Sequence, residues 1–158
     1  MCRGLLLGRR DLIEAAKLNT SPYSGSIHRG MKVTKEEILG MLIALESYLK
    51  RDHVAEGKEW ERRVAVIAAA VKTVPGVSAD LWVPPIASHM PHVKIRWDRK
   101  SISRSVKDVM RELSEGDPSI EVNPDSTEEL VLAVFTLKPG EDKIIAARLR
   151  AILKGASS

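Results

Sequence analysis

The sequence predicts an α+β fold: a long helix, or a helix pair, leading into a small antiparallel or mixed sheet with its helices on one face. Three observations carry this expectation. Apolar residues between Thr34 and Val74 recur at helical spacing. From Val77 onward the period shortens to two, the signature of strands with one buried face. Beyond that point the elements run strand, strand, helix, strand, strand, helix, an order that suits one sheet covered by helices on a single side.

Each element has a local reason. Leu5 to Leu7, between Gly4 and Gly8, reads as a short buried strand, followed by a helix from Asp11 to Leu18. So short a strand needs neighbours, and the residues that follow it supply none. The reading therefore expects a lost N-terminal portion, or a sheet completed by another subunit. Asn19 to Met31 is a loop rich in Ser, Pro and Gly, long enough to carry function. Thr34 with Glu37 three residues on forms a capping box, and Val33 with Ile38 a hydrophobic staple. Ile38, Met41, Leu42, Leu45, Tyr48 and Leu49 then make one apolar stripe. Asp52-His53 and Gly57 interrupt it before a second helical run on Trp60, Val64, Ile67 and Val71, which Pro75-Gly76 stops.

In the second half, Val77, Ala79, Leu81 and Val83 alternate with polar residues up to Pro84-Pro85. Val93, Ile95 and Trp97 alternate with Lys94 and Arg96, which places the two cations away from the helices. Ile102 to Leu113 returns to helical spacing, Ile120 and Val122 suggest a short strand, and Leu130 to Leu137 reads as an inner strand. A last helix directs Ile145, Leu149, Ile152 and Leu153 inward and frays from Gly155 to Ser158. Trp60, Trp82 and Trp97 are spaced as packing residues.

The 158 residues, 44% hydrophobic, are enough for one sizeable core. A single cysteine, Cys2, rules out an internal disulfide framework and fits a reducing compartment. The leading apolar run is three leucines followed by Arg9-Arg10, too short for a signal peptide or a membrane span, so a cytoplasmic location is expected. The net charge of +4 comes from interspersed acids and bases, without the one-sided cationic cluster that nucleic-acid binding asks for. No G-x-S-x-G elbow, HExxH pair or Gly-rich phosphate loop occurs. His89 and His92 stand three apart without an evident third metal ligand, so no metal site is expected.

The strongest site candidates are His28, Arg29 and Lys32, loop residues just before the Thr34 cap. A guanidinium fork and a mobile ammonium at a helix start, where free amides are partly positive, suit an anion.

The same stretch carries a family resemblance. Arg29-x-x-Lys32-Val33-x-Lys35 resembles the segment R-x-x-[RK]-V-x-K of the pyridoxal-phosphate enzymes related to seryl-tRNA selenium transferase, a group that includes the D-glucosaminate-6-phosphate ammonia-lyases. Gly4-Leu5-Leu6-Leu7-Gly8-Arg9-Arg10-Asp11-Leu12-Ile13 resembles that family's G-L-L-x-G-[RK]-x-[DE]-L-I, which follows shortly after the cofactor-binding lysine. The segment from Pro84 to His92 is similar to the family's P-x-x-x-x-H-x-P-H. Lys32 stands where selenium transferases have arginine, which favours the ammonia-lyase-like branch; Gly30 stands where relatives have a small residue or proline.

The resemblance implies the C-terminal part of a fold-type I enzyme, a lyase or transferase, truncated before or at its pyridoxal 5'-phosphate lysine. Residues 1–33 would be a remnant of the large cofactor domain, 34–74 connecting helices, and 75–158 the small α+β domain. It implies an anionic amino-acid or sugar-acid substrate held by Arg29 and Lys32, and a homo-oligomer or a separately supplied N-terminal half. Without the Schiff-base lysine this chain would bind no cofactor alone and would be inactive alone, with no catalytic residue of its own. The alternative is a non-enzymatic α+β interaction module, with RNA as the partner to consider.

Overall fold

A computed structural model describes residues 4–85, 89–122 and 128–155. The chain divides into two compact units, Met1–Asp52 and His53–Ser158. Cys2 and the last three residues of the expected C-terminal fray lie outside the described residues.

The first unit holds helix α1 (Arg10–Leu18) and helix α2 (Lys35–Lys50), joined by a long loop. Both members of the Thr34–Glu37 capping box are present, as the sequence predicts. Neither helix has a buried residue. The apolar stripe of α2 is in water, with Ile38, Leu42 and Leu49 at least half exposed. Leu5 to Leu7 form no strand and are exposed, which corrects the expected buried strand. Three leucines between glycines resemble a strand only in composition; no ladder partner lies beside them among the described residues.

The second unit contains the whole buried core. It runs α3 (His53–Val71), β1 (Val77–Trp82), β2 (His92–Trp97), α4 (Val106–Ser114), β3 (Leu130–Ala133) and α5 (Glu141–Gly155). Gly57 lies inside α3 rather than before it, so the interruption between helices is confined to Arg51 and Asp52. Gly76, at φ 80°, reverses the chain into β1 with Ser101 beside it, where a side chain would be strained and crowded.

The sheet has the order β1-β2-β3 and is antiparallel throughout. Ala79, Val93, Ile95, Leu130 and Leu132 are buried on the face toward α3, α4 and α5. Val93 pairs with Leu81 and Leu132, and Lys94 with Asp80 and Val131, so the register puts the cations on the opposite face as expected. There Glu129 holds Lys94 at 2.8 Å and Arg96 at 2.7 Å. Trp97 packs on the core and donates Nε1–H to the Arg104 carbonyl at 2.9 Å. Trp82 departs from the packing expectation. It sits on the outer face, edge-on to His92 at 5.7 Å, with Lys94 Nζ 4.4 Å from its ring centroid.

Two further corrections concern strands. Ile120 and Val122 form none; Ile120 N–H donates to the Leu113 carbonyl at 2.9 Å instead. The inner strand ends at Ala133, four residues short of Leu137, because Arg63 of α3 takes the backbone beyond it. Its Nη1 donates to the carbonyls of Val134, at 3.1 Å, and Leu137, at 2.6 Å. Arg63 also donates to Glu59, which bonds Arg62, and Arg62 reaches the buried Asp142 of α5 at 3.1 Å. The two arginines, Arg62 first, hold the Glu59 carboxyl down to about 2.

Candidate functional site

The loop from Asn19 to Val33 is folded by its own polar groups. Thr20 and His28 form a parallel bridge in which His28 N–H donates to the Asn19 carbonyl at 3.1 Å. Ser26 Oγ donates to the Tyr23 carbonyl at 2.9 Å, and Met31 N–H to that of His28 at 2.9 Å. Arg29 Nη1 donates to the Pro22 carbonyl at 2.5 Å, so one arm of its fork braces the loop across seven residues. A guanidinium has five N–H donors, and this bond uses one of them. His28, Arg29 and Lys32 are all exposed. The three stand within five residues of one another, just ahead of the Thr34 cap.

The helix mouth differs from the free-amide site expected there. Glu37 Oε2 accepts the Thr34 N–H at 2.8 Å, and Thr34 Oγ1 accepts the Glu37 N–H at 3.3 Å. Glu36 is held below the usual carboxylate range by its own backbone N–H and then by the Thr34 hydroxyl. The Glu37 amide is thus taken by the Thr34 hydroxyl and the Glu36 amide by its own carboxylate, while the charges of Glu36 and Glu37 offset the dipole. The anion site expected from the sequence would therefore rest on the loop cations more than on the end of α2.

Beside them lies an apolar cleft of about 690 Å³, lined chiefly by Leu5, Met31, Val33, Ile38, Met41 and Leu42. Leu5 and the staple pair Val33–Ile38 have their place here, as walls of a cleft. Sequence spacing showed the apolar residues but not that they would surround a space.

A pyridoxal-phosphate site needs a lysine in an apolar, sheltered setting. No lysine lines this cleft. Lys17 pairs with Glu14 at 2.9 Å, Lys32 and Lys35 are exposed, and Lys94 is committed to Glu129 and Trp82.

The two histidines of the second half separate. His89 is exposed, whereas His92 opens β2 half-buried, with Nδ1 2.9 Å from the Met90 carbonyl. Among the described residues no group of His, Cys, Asp or Glu could hold a metal ion, and no helix is long and apolar enough to cross a membrane.

Comparison with known proteins finds similarity along nearly the whole chain to two enzymes of different named activity. One is a D-glucosaminate-6-phosphate ammonia lyase, and a solved structure of an enzyme of that name also resembles the fold. The D-glucosaminate-6-phosphate ammonia lyase of Salmonella typhimurium (strain 14028s / SGSC 2262) is 28% identical over 159 aligned positions, 98% of this chain and 40% of the relative. The 5'-C-glycyluridine monooxygenase-decarboxylase of a Streptomyces species is 29% identical over 152, covering 95% of this chain and 37% of the relative. A solved structure of D-glucosaminate-6-phosphate ammonia-lyase superposes with a TM-score of 0.61 at 25% identity, over 94% of this chain and 39% of that one. The chain thus spans about two fifths of the length of the relatives it matches. No protein-family model matches it.

Proposed function

We propose that this chain contributes the substrate-anion contact to a pyridoxal-phosphate-dependent lyase acting on an anionic amino acid or amino-sugar acid. The cofactor lysine and most of the cofactor pocket are supplied by polypeptide beyond these 158 residues, and the chain is inactive by itself. The observation that carries the reading is similarity along 98% of the chain to an ammonia lyase of which it spans 40%. The exposed Arg29 and Lys32 beside an apolar cleft support the assigned role. Arg29 binds the anion by the donors left after its bond to Pro22, and that bond fixes the direction of the fork. Lys32 adds a mobile charge.

The monooxygenase-decarboxylase relative matches over a similar share, so the reaction type rests on the lyase likeness and the assigned roles rest on the residues. The RNA-binding alternative has less support. Lys94 and Arg96 share the outer sheet face with Trp82, but Glu129 pairs with both and Asp80 lies 4.0 Å from Arg96, against the unpaired cations a phosphate backbone requires.

The test joins this chain to the polypeptide encoded immediately upstream and measures ammonia release from phosphorylated amino-sugar acids with added pyridoxal phosphate. The chain alone is expected to give no lysine adduct that survives dialysis. The joined protein should release ammonia, Arg29→Ala should raise KM at least about tenfold, and Lys32→Ala should do so less, with unchanged melting temperatures. A dialysis-stable, stoichiometric adduct on the chain alone refutes the cofactor assignment. Unaltered kinetics in both variants refute the anion site.

A further inference from the structure

The second unit contains a separate cleft of about 580 Å³ along β3 and the start of α5, within the volume of ordinary small-molecule sites. Its walls are apolar: Ile67, Val131, Leu132 and Ile145 are buried, Phe135 and Ile144 exposed. Its charged groups have one sign. Among the described residues the charged lining consists of Glu121 and Glu141, with no lysine or arginine. Glu141 is partly used, since its Oε2 accepts the Lys138 N–H at 2.8 Å. Glu121 is exposed at the rim.

His92 also lines the cleft. Its Nδ1 lies 2.9 Å from the Met90 carbonyl, which only accepts, so the tautomer with the proton on Nδ1 fits this contact and leaves Nε2 as an acceptor. Phe135 stands T-shaped to the His92 ring at 6.1 Å and is itself 38% exposed. Carboxylate, imidazole acceptor and aromatic ring all favour a cation that donates hydrogen bonds, while the walls favour a hydrocarbon body.

We propose that this cleft binds a small hydrophobic amine in its ammonium form, with the ammonium toward Glu121, His92 and Phe135 and the hydrocarbon against the β3–α5 wall. The inference does not depend on the lyase reading, because every lining residue belongs to the second unit.

The experiment titrates the intact chain with 2-phenylethylamine, 2-phenylethanol and phenylacetate, which share a ring and differ in charge, and follows binding by calorimetry and NMR shifts. Saturable amine binding is expected, about tenfold tighter than the alcohol, with phenylacetate weakest. Glu121→Gln should bring the amine to the level of the alcohol, Phe135→Ala should weaken the amine and alcohol alike, and Glu61→Gln on the exposed side of α3 should change nothing. Phenylacetate binding as well as the amine, amine binding indifferent to Glu121→Gln, or no saturable binding by any of the three overturns the proposal.

Discussion

Arg63 is the most informative single position for the second unit, and Arg63→Met is the perturbation that isolates its hydrogen bonds. Its side chain is largely buried, and one guanidinium nitrogen serves the Val134 and Leu137 carbonyls at 3.1 and 2.6 Å. Methionine keeps most of the hydrocarbon stem but removes every donor. Each bond from a charged donor contributes roughly 1.5–3 kcal/mol, and a buried carbonyl left without a partner costs about 1–3 kcal/mol. The Val134 carbonyl still accepts the Leu137 N–H at 3.4 Å and Leu137 is half-buried, so neither carbonyl is left wholly without a partner, and about 3 kcal/mol is the expected net destabilisation. For a domain of this size that is a fall of about 12–20 °C in melting temperature. Urea unfolding of both proteins, read by the tryptophan fluorescence of Trp60 and Trp97, gives the difference directly. Arg63→Lys should recover part of it, since a point charge reaches one carbonyl but not both with good geometry. A loss below about 1 kcal/mol for Arg63→Met would refute the assignment of the β3–α5 turn to this side chain.

Two other outcomes follow from the same packing. Glu59, lowered from the ordinary 4.5 to about 2 by Arg62 and then Arg63, contributes stability that is fully present above pH 4.5 and is lost as the pH falls toward 2. The melting temperature should decline through that window, and Glu59→Gln should flatten the decline; an identical slope in the variant counts against the network. Leu149→Ala, at a fully buried position, should cost about 2–5 kcal/mol, whereas Leu42→Ala, half exposed on α2, should cost under about 1 kcal/mol. Comparable losses at both would mean that the α2 face is covered in solution.

The sheet was legible because strands with one buried face write a period of two into the sequence. Val93, Ile95 and Trp97 against Lys94 and Arg96 give both the strand and its orientation. The Thr34–Glu37 box was legible for a similar reason, as capping is local chemistry at fixed spacing. The helix after β2 was read as reaching back to Ile102, but it starts at Val106. Ser105 and Asp108 form a capping box there, with the shorter acid in the place of the usual Glu or Gln. Ile102 is buried all the same, which is why its spacing misled. What sequence could not show is non-local. The end of β3 is set by an arginine 71 residues earlier, and the bracing of Arg29 by a carbonyl seven residues away. His92, Glu121 and Phe135 belong to three separate stretches, so no motif announces the cleft they share.

The difference between the two units bears on the functional reading. Helix α2 combines a well-formed capping box with apolar residues on more than one side, since Leu39 and Ile43 are exposed along with Ile38, Leu42 and Leu49. A cap sets where a helix starts, but it contributes only about 1 kcal/mol. Most helical stability in proteins comes from burying an apolar face, and a helix apolar on several sides is suited to a covered position. The cleft beside α2 joins that apolar surface to the loop carrying Arg29 and Lys32, with the helix's own donors already satisfied by Glu37 and Thr34. Whatever covers the apolar wall would also exclude water from the cations, and a charge-assisted hydrogen bond is stronger where water is excluded. If α2 is covered in the joined protein, the anion contact proposed for Arg29 and Lys32 would gain strength from the same burial, so the loop by itself should bind phosphate weakly and the joined protein should bind it well.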